Sequence, residues 1–243
     1  MSARMLTFSR RCAREILRDP LNIAFGLGFP IALLLLLSAI QSNIPVPLFE
    51  IESLAPGIAV FGLSFMALFS ATLIARDRES AFLERLYTTP LRPAEFILGY
   101  MLPLLPIALA QVAVSYLTAL ALGLRLSVGL LLALVCSIPS AILYISLGLL
   151  CGSLFNVKQV GGICGALLTN LSAWLSGIWF DISLVGEGFV RAAKILPFIH
   201  AVELSRAALS GGELLGHLWP LLLWSIGVAV LAVSAFVGCM RRR

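Results

Sequence analysis

The residues of this chain with most capacity for chemistry are gathered in one polar island, 76–95, between two long apolar runs. It carries eight charged residues (Arg76, Asp77, Arg78, Glu79, Glu84, Arg85, Arg92 and Glu95) in a chain only 12% charged. Lipid rejects such a segment, so it lies in water or against a partner. Phe82, Leu83, Leu86 and Tyr87 alternate with the charges at helical spacing. The pattern predicts a short amphipathic helix over 79–87. Its apolar side chains would be buried anchors on another protein, and Glu79, Glu84 and Arg85 would fix the register. This is recognition chemistry rather than bond-making. A second polar turn, 154–160, with Asn156, Lys158 and Gln159, is a lesser contact candidate.

Bond-making chemistry finds little support. There is no G-x-S-x-G; Trp174-Leu175-Ser176-Gly177 lacks the leading glycine. No H-E-x-x-H occurs, and no Cys/His cluster has metal spacing. His200 and His217 stand without an evident partner in the sequence. Leu209-Ser210-Gly211-Gly212-Glu213 has the look of a nucleotide-contacting signature loop. No G-x-x-x-x-G-K-[ST] accompanies it, so it reads as a glycine turn.

The elements that must position the island are membrane helices. The chain of 243 residues is 60% hydrophobic, against roughly 45–50% in soluble domains. Six apolar runs, 21–41, 54–75, 96–122, 127–153, 160–180 and 215–239, each approach or exceed the roughly 20 helical residues that cross a bilayer. None alternates like a barrel strand, and backbone in lipid must pair within its own element. The expectation is one all-α integral membrane domain, 1–243, with six spans. Residues 4–18 place Met5, Leu6, Phe8, Cys12, Ala13, Ile16 and Leu17 opposite Arg4, Arg10, Arg11, Arg14 and Arg18. They predict a helix lying in the interface, basic face toward anionic lipid headgroups. The stretch 181–214 is longer than a connector needs, and its piece 196–209 is apolar but too short to cross. It predicts a re-entrant or surface-lying outside helix.

Thirteen of the 17 Lys and Arg residues fall on the side of both termini and the island. That asymmetry places the termini and the island in the cytoplasm of a multi-pass cell-membrane protein. The net charge of +5 reflects this orientation, and no polar folded domain suits nucleic acid. Cys12, Cys136, Cys151, Cys164 and Cys239 lie in spans or on the cytoplasmic side, so no disulfide is expected.

Inside the six runs there is no Asp, Glu, Lys or Arg. A self-powered ion-coupled transporter ordinarily carries such a group in the membrane, so any work must arrive from elsewhere. Gln111 and Asn170 are the strongest polar candidates for a pathway or interface. Gly148-x3-Gly152 and Gly161-x3-Gly165 mark close helix packing, within the chain or between two copies.

Arg78-Glu79, Leu83-Glu84-x-Leu86, Thr89-Pro90-Leu91 and Phe96-x-x-Gly99, with Leu196-Pro197 and Val202-Glu203-x-x-Arg206, resemble the permease subunit of a type-2 ABC exporter. The layout resembles that family across nearly the whole chain. Ser80-Ala81-Phe82 depart from the Gly-Thr-type residues usual there. The resemblance implies that the island holds the coupling helix, with Arg78, Glu79, Phe82, Leu83, Glu84, Arg85, Leu86, Tyr87 and Lys158 facing cytoplasmic ATPase subunits. It implies a second permease copy or homologue, with ATP and Mg on the ATPase and no cofactor in this chain. An uncharged pathway suits an amphipathic or hydrophobic cargo such as a drug, an antibiotic, a peptide or a lipid-linked compound. The rival is a scaffold or small channel that uses the island for another partner.

Overall fold

In a computed structural model, which describes residues 3–45, 49–80 and 92–241, all regular structure is helical. Ala3–Leu17 form α1, Pro20–Gln41 α2, Ile51–Glu79 α3, Pro93–Ala121 α4 and Val128–Leu154 α5. Val157–Val160 (α6), a π-helical stretch Gly161–Leu168 and Thr169–Leu175 (α7) follow one another with right-handed helical dihedrals at both joints. A 3-10 turn at Ile182–Val185 leads to α8 (Glu187–Ile195), α9 (Pro197–Ser210) and α10 (Leu215–Arg241).

Five of these helices, α2, α3, α4, α5 and α10, are long and apolar enough to cross a membrane. The run expected as a sixth span, 160–180, coincides with the composite α6–π–α7 helix of 157–175. The wider π ladder changes its hydrogen bonding: the Thr169 hydroxyl donates to the Cys164 carbonyl, five residues back, at 2.9 Å.

The core is built around α3. Lipid offers no hydrophobic drive between helices, so association depends on close packing of small residues. Ala55, Ala59, Gly62, Ser64, Ala67, Ser70, Ala71 and Ala75 give α3 such a surface, all of it buried. Its most extensive contact is with α5. There Gly148 and Gly152 lie directly on the Ala67 and Ala71 carbonyls, where a β-carbon would collide with backbone. Ser70 bridges the helices by donating to the Ile145 carbonyl at 3.1 Å. This first glycine pair therefore serves packing within the chain. Among the described residues, a β-carbon at Gly165 would meet the Leu68 side chain, and one at Gly161 would meet nothing within 4 Å.

The apolar piece before the last span is α9. Its 14 residues reach about 21 Å, short of the roughly 30 Å hydrocarbon core. Pro197 opens it, where its missing N–H costs nothing. Phe198, Val202, Leu204 and Ala208 bury it against α3, α5 and α10. Gly211, at φ +76°, ends it, and the Gly212 N–H reaches back to the Ala207 carbonyl at 2.8 Å. The 209–213 segment is thus a glycine helix stop.

Replacing Gly148 by leucine is expected to destabilise the folded chain by about 3 kcal/mol through overpacking. Gly161→Leu should leave the monomer's melting temperature close to that of the native chain. Thermal unfolding in detergent checks both. Equal effects would contradict this packing.

Candidate docking and coupling site

The island does not begin where the apolar run stops. Helix α3 continues through Arg76, Asp77, Arg78 and Glu79, and only then ends at Ser80. Residues 81–91, including Phe82, Leu83, Glu84, Arg85, Leu86 and Tyr87, lie outside the described residues. What the structure supplies is the base on which that segment stands.

Asp77 is only 3% exposed although it sits among charges in the sequence. A lone carboxylate there would be strongly disfavoured, and its surroundings answer that cost. Arg11 of α1 meets it as a two-pronged fork, Nη1 to Oδ2 at 2.6 Å and Nη2 to Oδ1 at 2.9 Å. The Tyr100 hydroxyl of α4 donates to Oδ2 at 2.8 Å. One carboxylate therefore joins α1, α3 and α4. Burial opposes the Arg11 charge, but the hydrogen bond and charge of Asp77 more than offset it and raise its pKa.

Apolar contacts complete the joint. Phe8 of α1 lies edge-on to Tyr100, ring centroids 4.9 Å apart, and to Phe96 at 5.7 Å. Gly99 makes the socket, since a β-carbon there would come within 2.5 Å of the Phe8 ring. This gives Phe96-x-x-Gly99 a physical meaning. Met5 and Cys12 are buried beside Phe8, whereas Leu6 and Leu17 stay exposed on α1. The expected amphipathic helix is present, but its apolar face divides between protein and surroundings, and Arg11 turns inward rather than toward headgroups.

Arg78 and Glu79, read from sequence as contacts to a partner, have partners inside the chain. Arg78 Nη1 donates to the carbonyls of Gly152 at 2.8 Å and Phe155 at 3.2 Å, a cation on the C-terminus of α5. Glu79 Oε1 accepts from the Val157 N–H at 2.9 Å, an anion on the N-terminus of α6. Asn156 caps that helix with Gln159 in a reciprocal box. The turn so held presents Asn156, Lys158 and Gln159 exposed beside the last turn of α3. The last turn of α3 and the 154–160 turn, which the sequence set apart, are thus one assembly. At the far flank of the island, Glu95 accepts from the Arg92 N–H at 2.9 Å and caps α4.

The proposed pathway residues are not brought together. Gln111 is buried between α4 and α3, donating to Ser115 at 3.1 Å and the Ala59 carbonyl at 3.4 Å, in space that Gly62 leaves open. Asn170 is exposed and donates to the Ala166 carbonyl of its own helix at 2.8 Å. At the opposite end, His200 and His217 do have partners. Their Nδ1 atoms are 3.2 Å apart, and His200 Nε2 lies 2.9 Å from the Lys194 carbonyl. Arg206 pairs with Glu203 at 2.8 Å and donates to the Ser53 and Gly177 carbonyls, joining α9 to the start of α3 and to the end of α7.

Sequence reasoning missed Asp77 and Arg11. The available signal was an acid in the last turn of a span, flanked by Arg76 and Arg78, with an amphipathic basic helix elsewhere to answer it.

A family model for the membrane domain of ABC-2 type transporters matches residues 4–210. Among curated proteins none matches the chain.

Burial pushes the Cys12 thiol up to about 12, so at neutral pH it is protonated and shielded. Asp77→Ala should unseat α1 at a cost of about 2 kcal/mol, below the 3–5 typical of fully buried pairs because Arg11 is about one-third exposed. A maleimide should then label Cys12 in the variant and spare it in the native chain. A detached α1 loses its thiol proton from about pH 8.5. Seating should therefore weaken as pH rises from there toward about 12. Unchanged labelling in Asp77→Ala would contradict the joint.

Proposed function

The chain belongs to the ABC-2 type transporter family, a multi-pass membrane permease component, and on that premise we propose that it couples a partner's ATP hydrolysis to export through the 76–95 island. The observation that carries this reading is the bracing of the island's base. Asp77, Arg78 and Glu79 tie the last turn of α3 to α1, α4, the end of α5 and the start of α6. A segment braced on four elements can pass a displacement into the bundle as a rigid unit, which a loosely hung loop cannot.

In this reading the island and both termini face the cytoplasm of the cell membrane, as the distribution of basic residues favours. Two ATPase subunits, holding ATP and Mg, dock on two permease copies. Phe82, Leu83, Leu86 and Tyr87 of each copy are the anchors, and Glu84 and Arg85 set the register. Lys158, exposed beside Glu79, adds a charge at the edge of the contact. Arg78 and Glu79 act one step back, holding the turn that presents Lys158. Closure of the ATPases moves the island, and α3 and the α6–π–α7 rod move with it. A cavity between two copies then turns from inward- to outward-facing. Apolar and hydroxyl side chains suit an amphipathic or hydrophobic cargo.

Purification through a tag on this chain under mild conditions should bring an ATPase with it. Glu84→Arg combined with Leu86→Asp should remove that ATPase, and Lys158→Glu should reduce it by a smaller factor. Absence of an ATPase from the native preparation, or its full retention in the double variant, would overturn the reading.

A further inference from the structure

At the end of the bundle opposite the island, His200 of α9 and His217 of α10 meet nitrogen to nitrogen, Nδ1 to Nδ1 at 3.2 Å. Their ring centroids are 5.5 Å apart and the planes tilted by 47°, so the rings touch through their edges rather than stack. The neighbours decide which atoms carry protons. His200 Nε2 lies 2.9 Å from the Lys194 carbonyl, which can only accept, so Nε2 carries a hydrogen. Neutral His200 therefore turns a bare Nδ1 toward its partner. The contact is attractive only with a hydrogen on His217 Nδ1, which leaves His217 Nε2 as the bare nitrogen of that ring.

This arrangement counts protons. The first added proton goes to His217 Nε2, outside the contact, and Nδ1–H then donates from an imidazolium, a stronger charge-assisted bond. The second has only His200 Nδ1 to occupy. Two cationic N–H groups then face one another with no acceptor between them, and the contact is lost. Among the described residues, Glu203 of α9 and Glu213 of the turn before α10 act on His217 by charge, and Glu203 is already held by Arg206 at 2.8 Å. Lys194 of α8 is exposed. Of the other packed elements, α5, α7 and the rest of α10 up to Met240 have no charged residue, and that of α4, Glu95, lies at the island end. Glu52, at the start of α3, lines the cleft on the Arg206 side of α9.

The corner so fastened has few other ties. Within α8 only Ala193 is buried. The α8–α9 corner meets α10 through the histidine pair and through Trp224 Nε1, which donates to the Ile195 carbonyl at 3.0 Å. Farther along α9, Arg206 pins the helix to the Ser53 and Gly177 carbonyls. We propose that the His200–His217 pair is a proton-operated latch: it fastens the α8–α9 corner to α10 while at most one of the two rings is charged, and releases it when both are. Histidines change charge within about pH 5–8, so the contact is present at the upper end of that window and is lost as pH falls through it. The latch lies within one copy of the chain and needs no partner subunit, so it goes beyond the permease reading and stands apart from it.

Hydrogen exchange read by mass spectrometry tests this on the full chain in detergent with a chelator, at about pH 8 and about pH 5. After correction for the intrinsic pH dependence of exchange, amides of 188–200 should exchange about tenfold faster at the acid pH, the scale of one charge-assisted hydrogen bond, while those of 204–210 stay unchanged. His217→Gln keeps the contact at either pH, because its amide offers N–H to a neutral His200 and oxygen to a charged one. Its 188–200 exchange should not respond to pH. Equal native exchange at both pH values, a rise that 204–210 share, or the same acid rise in His217→Gln would overturn the proposal. If His217→Gln does not fold, ring-nitrogen NMR of the native chain decides, since it has only two histidines. At about pH 8 one Nδ1 should be bare and the other protonated, and two rings in the same tautomer overturn it.

Discussion

A carboxylate buried in the last turn of the most enclosed helix constrains everything at that end of the molecule. Without partners Asp77 would be disfavoured by several kcal/mol. Satisfying it requires the Arg11 fork and the Tyr100 hydroxyl together, so α1 must lie across α3 and α4 in one register. That register puts Phe8 into the socket at Gly99 and turns Arg11 away from headgroups. It also places the turn at Asp19–Pro20 against α3, where the Asp19 carboxylate stands 3.6 Å from the Arg76 guanidinium. The N-terminal helix is therefore a structural member of the bundle.

Helix α3 extends the constraint across the molecule. Its 29 residues span about 44 Å. Near its start, the Ser53 carbonyl receives the Arg206 guanidinium, which also binds Gly177 and Glu203. At its end, Arg78 and Glu79 receive the helix termini of α5 and α6. Between these ends its small residues lie under Gly148 and Gly152 of α5. A helix held at both ends and closely packed along its length moves as a unit. Such a part suits a permease whose work arrives at one end and is used at the other.

Long apolar runs reported their helices directly, because lipid leaves a spanning backbone few alternatives. The short outer helix α9 was legible for the same reason: an apolar run too brief to cross, opened by Pro197 and stopped by Gly211. What sequence could not show was pairing between distant elements. Arg11 and Asp77 are 66 residues apart, and each had a sufficient local explanation, a headgroup contact for one and a soluble loop for the other. Arg78 and Glu79 were read as contacts to a partner, and their capping of two other helices could not be read from the sequence. Gln111 was polar in a span, and whether it faced a pathway or the interior depended on the opposing Gly62. The π ladder of 161–168 departs from a hydrogen-bond pattern that hydropathy does not encode.

The central claim is that the island is the surface through which an ATPase acts on this chain. A photo-crosslinking amino acid at Tyr87, with a second placed at Leu184 beyond the opposite end as control, tests it in living cells. The account predicts an adduct at Tyr87 with a nucleotide-hydrolysing protein, and no such adduct from Leu184. An adduct at Tyr87 only with a protein lacking nucleotide-hydrolysing activity, or the same ATPase captured from Leu184, would contradict it.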